Sequence, residues 1–236
     1  MRRAMAAALL ALALSSCARH TFVLPVAPPG PQAPAASTPA GAVQRLAWYW
    51  NHADAAGYPD VLTADYVFVF APGDSAGNAF RTHPWLRESE LQMAQHLFVG
   101  GGDQPPASSI QLAINDALVA APDPRPGCGD VRIHQTIRTN VFLKVTVDRG
   151  APDMTIITGT ALFYLVRGDS ASIPAELAAK GMRADSTRWW ITRWDDETFE
   201  SQIGVPAGAI RPAPGPLSAR SEDVISWGAL KAGYLQ

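Results

Sequence analysis

Residues 42–70 contain a change of hydrophobic period that restricts what this chain can fold into. Apolar residues, among them Leu46 and Trp50, recur at the i, i+3, i+4 and i+7 spacing that lines one face of a helix. A turn and a partial helix ending at Asp65 follow, and residues 66–70 then alternate aromatic side chains with valines, as strands do. A helix with one apolar stripe, followed at once by a strand that is apolar on both faces, predicts a helix packed on a sheet.

The N-terminus predicts a lipoprotein signal peptide over residues 1–16, followed by a lipidated cysteine. Two arginines precede an apolar run that is shorter than the roughly 20 residues a helix needs to cross a bilayer. The run ends in Leu14-Ser15-Ser16-Cys17, which resembles the lipobox of bacterial lipoproteins, where the cysteine after a Leu-small-small triplet carries the lipid. An ordinary signal peptide with an incidental cysteine is the alternative.

The predicted lipid and the segment after it indicate an extracytoplasmic location. A diacylated Cys17 supplies the two chains that stable membrane anchoring takes. Residues 17–40 are rich in Pro, Ala and Ser, which is typical of an extended spacer ahead of a folded domain. Ala18 is not the acidic residue associated with inner-membrane retention in enteric-type bacteria, so the outer membrane is favoured. We therefore expect a protein tethered to a membrane of the bacterial cell envelope.

Charge and cysteine content limit the partners and cofactors to expect. The net charge of −2 leaves no basic surplus for a phosphate backbone, so nucleic acid is not expected as a partner. If Cys17 carries lipid, Cys128 has no partner within the chain and is expected to be a free thiol in a Pro/Gly-rich loop, an intermolecular disulfide being the alternative. No metal-ligand spacing, phosphate loop or dinucleotide motif occurs, so neither a metal nor a cofactor is expected.

The middle of the chain predicts mainly strands. Residues 131–147 alternate apolar and polar side chains over an unusual length, which predicts a long one-sided strand with a bend or bulge. Residues 110–120 alternate as well, with one break at Asp116, and residues 155–166 and the Trp-rich residues 188–197 complete a sheet. Loops rather than helices join these segments, which favours antiparallel pairing.

Two further helices are predicted outside the sheet. Residues 84–98 have apolar groups on one helical face and are stopped by three glycines. Residues 201–236 form a Pro-rich tail with a short helix from Ser221, whose Trp227 is expected to pack back onto the body.

The order of these elements resembles the NTF2-like (SnoaL-like) superfamily of cone-shaped α+β barrels. The resemblance covers residues 41–200 and implies a curved antiparallel sheet with the N-terminal helices packed on its concave face, around a pocket. Enzymes and non-enzymes share this fold, so the fold alone does not settle the function. The residues that carry it are Trp50-Asn51-His52-Ala53-Asp54, Leu62-Thr63-Ala64-Asp65-Tyr66-Val67-Phe68, Pro72, Gly77, Arg81 and Trp190-Ile191-Thr192-Arg193-Trp194-Asp195.

The resemblance also implies where catalysis would take place. In enzymes of this superfamily a carboxylate or a Tyr/His/Asp set in the pocket acts as general acid or base. Ketosteroid isomerases carry such an aspartate just before a proline at the end of the first strand, but here that place reads Phe70-Ala71-Pro72. The remaining candidates are His134, Asp116 and Tyr66. His134 is otherwise a solvated strand histidine, and Asp116 otherwise marks a bulge.

The sequence therefore favours a non-catalytic domain that binds a small apolar ligand or a protein partner. A SnoaL-like hydrolase, isomerase or dehydratase is the alternative, and a homodimer through the open sheet face is a third hypothesis. An interior filled by the chain's own side chains would argue against the ligand, whereas convergence of the catalytic candidates in an open pocket would favour the enzyme. The residues predicted to line a ligand pocket are Trp50, Phe68, Phe70, Trp190 and Trp194.

Overall fold

The computed structural model describes residues 32–115, 117–168, 173–198 and 222–236. The predicted lipobox with Cys17, most of the predicted spacer, Asp116 and the proline-rich part of the predicted tail lie outside these ranges. No helix within them is long and apolar enough to span a membrane. The helices are α1 (Pro39–Asn51), α2 (Arg87–Phe98), α3 (Ala175–Ala179) and α4 (Trp227–Leu235), and the strands are β1 (Leu62–Val69), β2 (Trp85–Leu86), β3 (Ala107–Ile114), β4 (Ala120–Pro122), β5 (His134–Asp148), β6 (Pro152–Arg167), β7 (Trp189–Asp196) and β8 (Glu222–Val224).

The eight strands form one curved sheet, which is mixed rather than purely antiparallel. Its main path is β2-β1-β7-β6-β5-β3, with β4 also paired to β5 and β8 to β6. The β1–β7 and β6–β8 pairs run parallel. The predicted α+β fold with helices packed on a curved sheet is confirmed. Parallel strands need a long connection between them. Strands β2 to β6 lie between β1 and β7 in the chain and provide that connection. The short loops between successive strands therefore did not indicate that β1 and β7 run parallel.

The long strand predicted over residues 131–147 is confirmed from His134 onward as β5, whereas residues 131–133 form a turn. It pairs with β6 along its full length of 15 residues. Ile137, Val141 and Leu143 are buried on one face and alternate with exposed side chains. The expected irregularity lies on the other side of β5, where the register with β3 shifts between Ala107 and Ser109.

Two predicted boundaries are wrong in the first half of the sheet. Residues 110–120 were expected as one strand, but β3 ends at Ile114 and β4 begins at Ala120. Asp65 lies inside β1 rather than at the end of a partial helix, because the helical turn Tyr58–Val61 is a short 3₁₀ helix that ends earlier.

Helix α1 packs on the sheet and protects one of its edges. The Thr38 hydroxyl caps the helix by accepting a hydrogen bond from the N–H of Gly41 at 3.0 Å. Trp50 near the other end is fully buried in the main core. Asn51 then bridges to the edge strand β3, donating to the carbonyl of Leu112 at 2.9 Å and accepting from its N–H at 2.6 Å. Unpaired strand edges invite unwanted pairing, so this side chain takes the place of a further strand.

Candidate functional site

A buried ion pair lies in the interior between α2 and α4. Glu90 and Lys231 are both fully buried, and the Lys231 ammonium donates to Glu90 Oε2. The same carboxylate accepts hydrogen bonds of 2.8 Å from the Tyr58 hydroxyl and from the Trp85 indole N–H. Charges are almost never fully buried unless they are paired and hydrogen-bonded, and this carboxylate is both.

Aromatic rings surround the Lys231 ammonium on its other sides. Ring faces attract cations through their quadrupole, most strongly where water is excluded. Burial lowers the pKa of Lys231, and the paired carboxylate opposes that shift. The arrangement is an aromatic cage for an ammonium group, filled by the chain's own lysine. Lys231 Nζ lies 4.1 Å from the ring centroid of Phe68 and 5.4, 5.6 and 5.7 Å from those of Trp85, Trp194 and Trp227.

Two tyrosines beside the ion pair are held in their protonated form. Burial, and after it the negative charge of Glu90, raises the pKa of both Tyr58 and Tyr66 well above the ordinary value. The Tyr66 hydroxyl is buried and has no hydrogen-bond partner among the residues that the structure describes. A phenol with a raised pKa does not act as a general base near neutral pH, so this environment does not favour a catalytic Tyr66.

Helix α4 begins at Trp227 rather than at Ser221, and Asp74 fixes its first turn. Ser226 is the N-cap residue. The buried carboxylate of Asp74 accepts hydrogen bonds from Ser226 Oγ at 2.8 Å and from the N–H of Gly228 at 2.7 Å, and an acidic group at this end also complements the helix dipole. A Cβ at Gly228 would overlap that carboxylate. Trp227 is 1% exposed, which confirms that it packs back onto the body.

Helix α2 holds the opposite end of α4. His96 Nδ1 lies 2.8 Å from the carbonyl oxygen of Tyr234, and the Gln92 amide donates to the carbonyl of Leu235 at 3.2 Å. The last carbonyls of a helix have no partner within the helix. Both ends of α4 are therefore tied to the body, with Lys231 buried between them.

The residues predicted to line a ligand pocket lie in two different places. Trp190 packs with Val166 and Leu177 in a small cluster of its own, on the face of β7 opposite to its neighbour Ile191. Trp194 nevertheless faces the main core, because the register with β6 shifts between Ile191 and Arg193 and reverses the alternation. The other four lie in the main core, where the ring of Trp227 contacts those of Trp50 and Trp194 edge-on. Trp227 therefore occupies space beside these predicted pocket residues, which argues against an apolar ligand at that place. The four residues in the main core are Trp50, Phe68, Phe70 and Trp194.

The two predicted catalytic residues that the structure describes do not converge. Tyr66 faces the main core. His134 begins β5 and lines a surface cleft together with Asp65 and Thr192. Asp65 is exposed whereas Tyr66 beside it is buried, so the two neighbours point to opposite faces of β1. Asp116 lies outside the described residues, and the enzyme hypothesis gains no support from the other two.

The same cleft contains a polar cluster that the sequence analysis missed. Cys128 Sγ, a ring nitrogen of His134 and a carboxylate oxygen of Asp123 lie within 4.8 Å of one another. The cleft has a volume of about 290 Å³ and is also lined by Arg125. The spacing of the three residues in the sequence matches no common metal or triad motif, so only the Pro/Gly-rich loop between two strands hinted that they could meet.

The outer face of β3, β5 and β6 exposes a large aromatic side chain. Phe142 is 37% exposed there and lies across from Ala113 on β3 and Thr158 on β6. Asn140 and Thr160 form the next pair along the same face. A shallow groove of about 410 Å³ crosses these uncharged residues.

Comparisons with known proteins relate the chain to others only through its fold. No family model and no curated protein matches the sequence. The structure is similar to an NTF2-like superfamily protein from Salmonella enterica serovar Typhimurium, at 14% identity over 71% of this chain and 92% of that chain, with a TM-score of 0.41. A Mycobacterium tuberculosis protein of unknown function (14% identity, 83% of each chain, TM-score 0.41) is similar as well. So is a candidate scytalone dehydratase from Novosphingobium aromaticivorans (10% identity, 67% of this chain and 79% of that chain, TM-score 0.40). These similarities concern the fold and carry no information about activity.

Proposed function

We propose that this chain is a lipid-anchored protein of the bacterial cell envelope, whose folded domain binds a protein partner and does not catalyse a reaction. The lipobox ending in Cys17 and the proline-rich spacer after it support the anchor. The observation that carries the non-catalytic role is the filled interior. Helix α4 places Trp227 and Lys231 where a domain of this architecture would have a pocket. The carboxylate of Glu90 forms an ion pair with that lysine and is therefore not free to act as a catalytic base.

The outer face of β3, β5 and β6 is the surface proposed for the partner. Protein interfaces are depleted of charge at their centre and enriched in aromatic residues. Phe142 and the uncharged Ala113 and Thr158 across from it match that composition. Charged residues lie along β5 on either side, namely Lys144 and Arg138, which pairs with Glu197 at 3.0 Å. The expected partner protein therefore presents an apolar side chain that packs against Phe142.

Site-specific photo-crosslinking in intact cells tests the docking surface. A photoreactive residue at position 142 is expected to give an adduct with one envelope protein, or with a second copy of the chain, which would identify the partner. The matched control is position 86, since Leu86 is also apolar and 47% exposed but lies on β2 at the opposite end of the sheet. The proposal fails if position 142 gives no adduct, or the same adducts as position 86.

Membrane fractionation tests the anchor. Cys17→Ala is expected to leave an unlipidated protein that is released from washed membranes after cleavage or stays unprocessed. Cys128→Ala is the matched control because it removes the other cysteine, and it should remain lipidated and membrane-bound. Mass spectrometry of the mature N-terminus provides the direct readout, and an unmodified Cys17 in the wild type would contradict the anchor.

A further inference from the structure

The cleft beside β5 brings together three side chains of the types that bind transition metals. Asp123 follows β4, Cys128 lies in the loop after it, and His134 is the first residue of β5. Their donor atoms lie within 4.8 Å of one another. One ion among them would bring the three slightly closer, because ligands around Zn²⁺ lie at about 2.0–2.3 Å from it.

The loop between β4 and β5 contains the cluster, is held at both ends by strand pairing and is stabilised by hydrogen bonds within the loop. Its two ends are held by the antiparallel pairing of β4 with β5. The N–H of Arg125 donates to Asp123 Oδ1 at 2.9 Å, and the N–H of Cys128 donates to the carbonyl of Arg125 at 3.1 Å. Gly127 adopts φ +83°, a left-handed conformation that glycine tolerates. The backbone thus holds the carboxylate and the thiol on the same side of the loop, towards β5.

His134 provides an independent sign of a missing ligand. Its Nδ1 is fully buried and has no hydrogen-bond partner in the described part of the chain. Buried polar atoms are nearly always satisfied, and an exception points to a water or an ion at that place. The thiol of Cys128 and the carboxylate of Asp123 lie near this ring, and a metal ion bound among the three groups would give the nitrogen a partner.

Arg125 explains how Asp123 is stabilised without an ion. The guanidinium makes several hydrogen bonds to the carboxylate, the shortest being 2.7 Å from Nη2 to Oδ2, and stacks 4.2 Å from the ring centroid of Tyr164. Burial raises the pKa of Asp123, but the bonds from Arg125 outweigh it and leave that pKa below its ordinary value. The guanidinium therefore supplies the positive charge that an ion would bring, and it competes with the ion for the carboxylate.

We propose that Asp123, Cys128 and His134 bind one Zn²⁺ ion, with Asp123 shared between the ion and Arg125. Thiolate, imidazole and carboxylate together suit Zn²⁺, whereas Mg²⁺ and Ca²⁺ take oxygen ligands only. Three protein ligands would leave a fourth position open, and Cys128 and His134 line the same cleft as Asp65 and Thr192. A water molecule or a small anion occupies that position.

Metal titration of the full chain carrying Cys17→Ala, in which Cys128 is the only thiol, tests this site. Co²⁺ is the spectroscopic probe and is expected to bind at one equivalent with a sulfur-to-cobalt charge-transfer band. Zn²⁺ is expected to displace it and to raise the melting temperature. Cys128→Ala should abolish the charge-transfer band, and His134→Ala should weaken Zn²⁺ binding at least about tenfold while the protein still unfolds cooperatively.

Two further variants separate a metal site from general binding to histidines or carboxylates. Arg125→Met frees Asp123 and is expected to tighten Zn²⁺ binding severalfold, an effect that a merely structural Arg125–Asp123 pair would not produce. His52→Ala is the matched control, since His52 is exposed and lies outside the cluster. The proposal is overturned if no charge-transfer band forms, if Cys128→Ala leaves binding unchanged, or if the control weakens Zn²⁺ as much as His134→Ala.

Discussion

Replacing Lys231 by methionine is predicted to lower the free energy of unfolding by about 3–5 kcal/mol, the range found when one partner of a buried ion pair is removed. The magnitude follows from the surroundings of Glu90. Both partners are fully buried, so solvent does not screen the charge that is left behind. The two neutral donors that remain, Tyr58 and Trp85, stabilise a buried carboxylate only in part. The contact between the ammonium and the ring of Phe68 is lost as well.

The double variant Glu90→Gln/Lys231→Met is predicted to recover most of that loss. A glutamine at position 90 can accept from the Trp85 N–H and donate to the Tyr58 hydroxyl oxygen, so each neighbour keeps a hydrogen bond without a buried charge. Replacing a whole buried pair by uncharged groups is often neutral or stabilising. The coupling energy between the two positions should therefore exceed about 2 kcal/mol, which lies in the upper part of the range of about 0.5–3 kcal/mol found for residues in direct contact.

Urea denaturation of the full chain carrying Cys17→Ala, followed by tryptophan fluorescence and circular dichroism, provides the measurement. Arg132→Met is the control, since Arg132 forms an ion pair with Asp130 on the surface, and its midpoint should not move. Single variants that each cost less than about 1 kcal/mol, or a double variant whose cost equals the sum of the two, would refute the reasoning about the buried pair.

Three other predictions concern the same interior. Because the pKa values of Tyr58 and Tyr66 are raised in the folded state, their contribution to stability is complete below about pH 10 and is lost as the pH rises further. The other three tyrosines are less deeply buried and can ionise earlier, so the last two equivalents of tyrosinate absorbance should appear only together with unfolding. Tyr66→Phe removes a buried hydroxyl that has no partner among the described residues and should be neutral or stabilising, whereas Tyr58→Phe breaks the bond to Glu90 and should cost about 1–3 kcal/mol in urea denaturation; equal costs would contradict this account. Gly228→Ala should cost about 1–3 kcal/mol in thermal unfolding because its Cβ meets Asp74, while Gly233→Ala on the same helix has open space and should be stabilising by up to about 1 kcal/mol.

Helices and strands that bury one face could be predicted from local patterns in the sequence. The apolar stripe around Leu46 and Trp50 gave α1, and the alternation at Val141 and Leu143 gave β5, because each element's own periodicity records which side is buried. Trp227 was recognised as a group packed on the body, since a tryptophan in a proline-rich tail has few other reasons to occur.

The site could not be predicted in the same way because it depends on distant pairings. Glu90 and Lys231 are 141 residues apart, and in a sequence each reads as an ordinary exposed charge on a helix. Their burial becomes visible only when α2 and α4 face each other. Cys128 and His134 lie closer together, but an irregular loop has no period, so its sequence does not show which side chains meet.

The central claim is that the chain's own C-terminal helix closes the interior, and native-state hydrogen exchange of α4 tests it most directly. If Asp74, Lys231 and the contacts to α2 hold α4 as part of the core, its amides should exchange only through global unfolding, with the same free energy as those of α2. Exchange in α4 that is at least about a hundredfold faster than in α2, at unchanged global stability, would contradict the account.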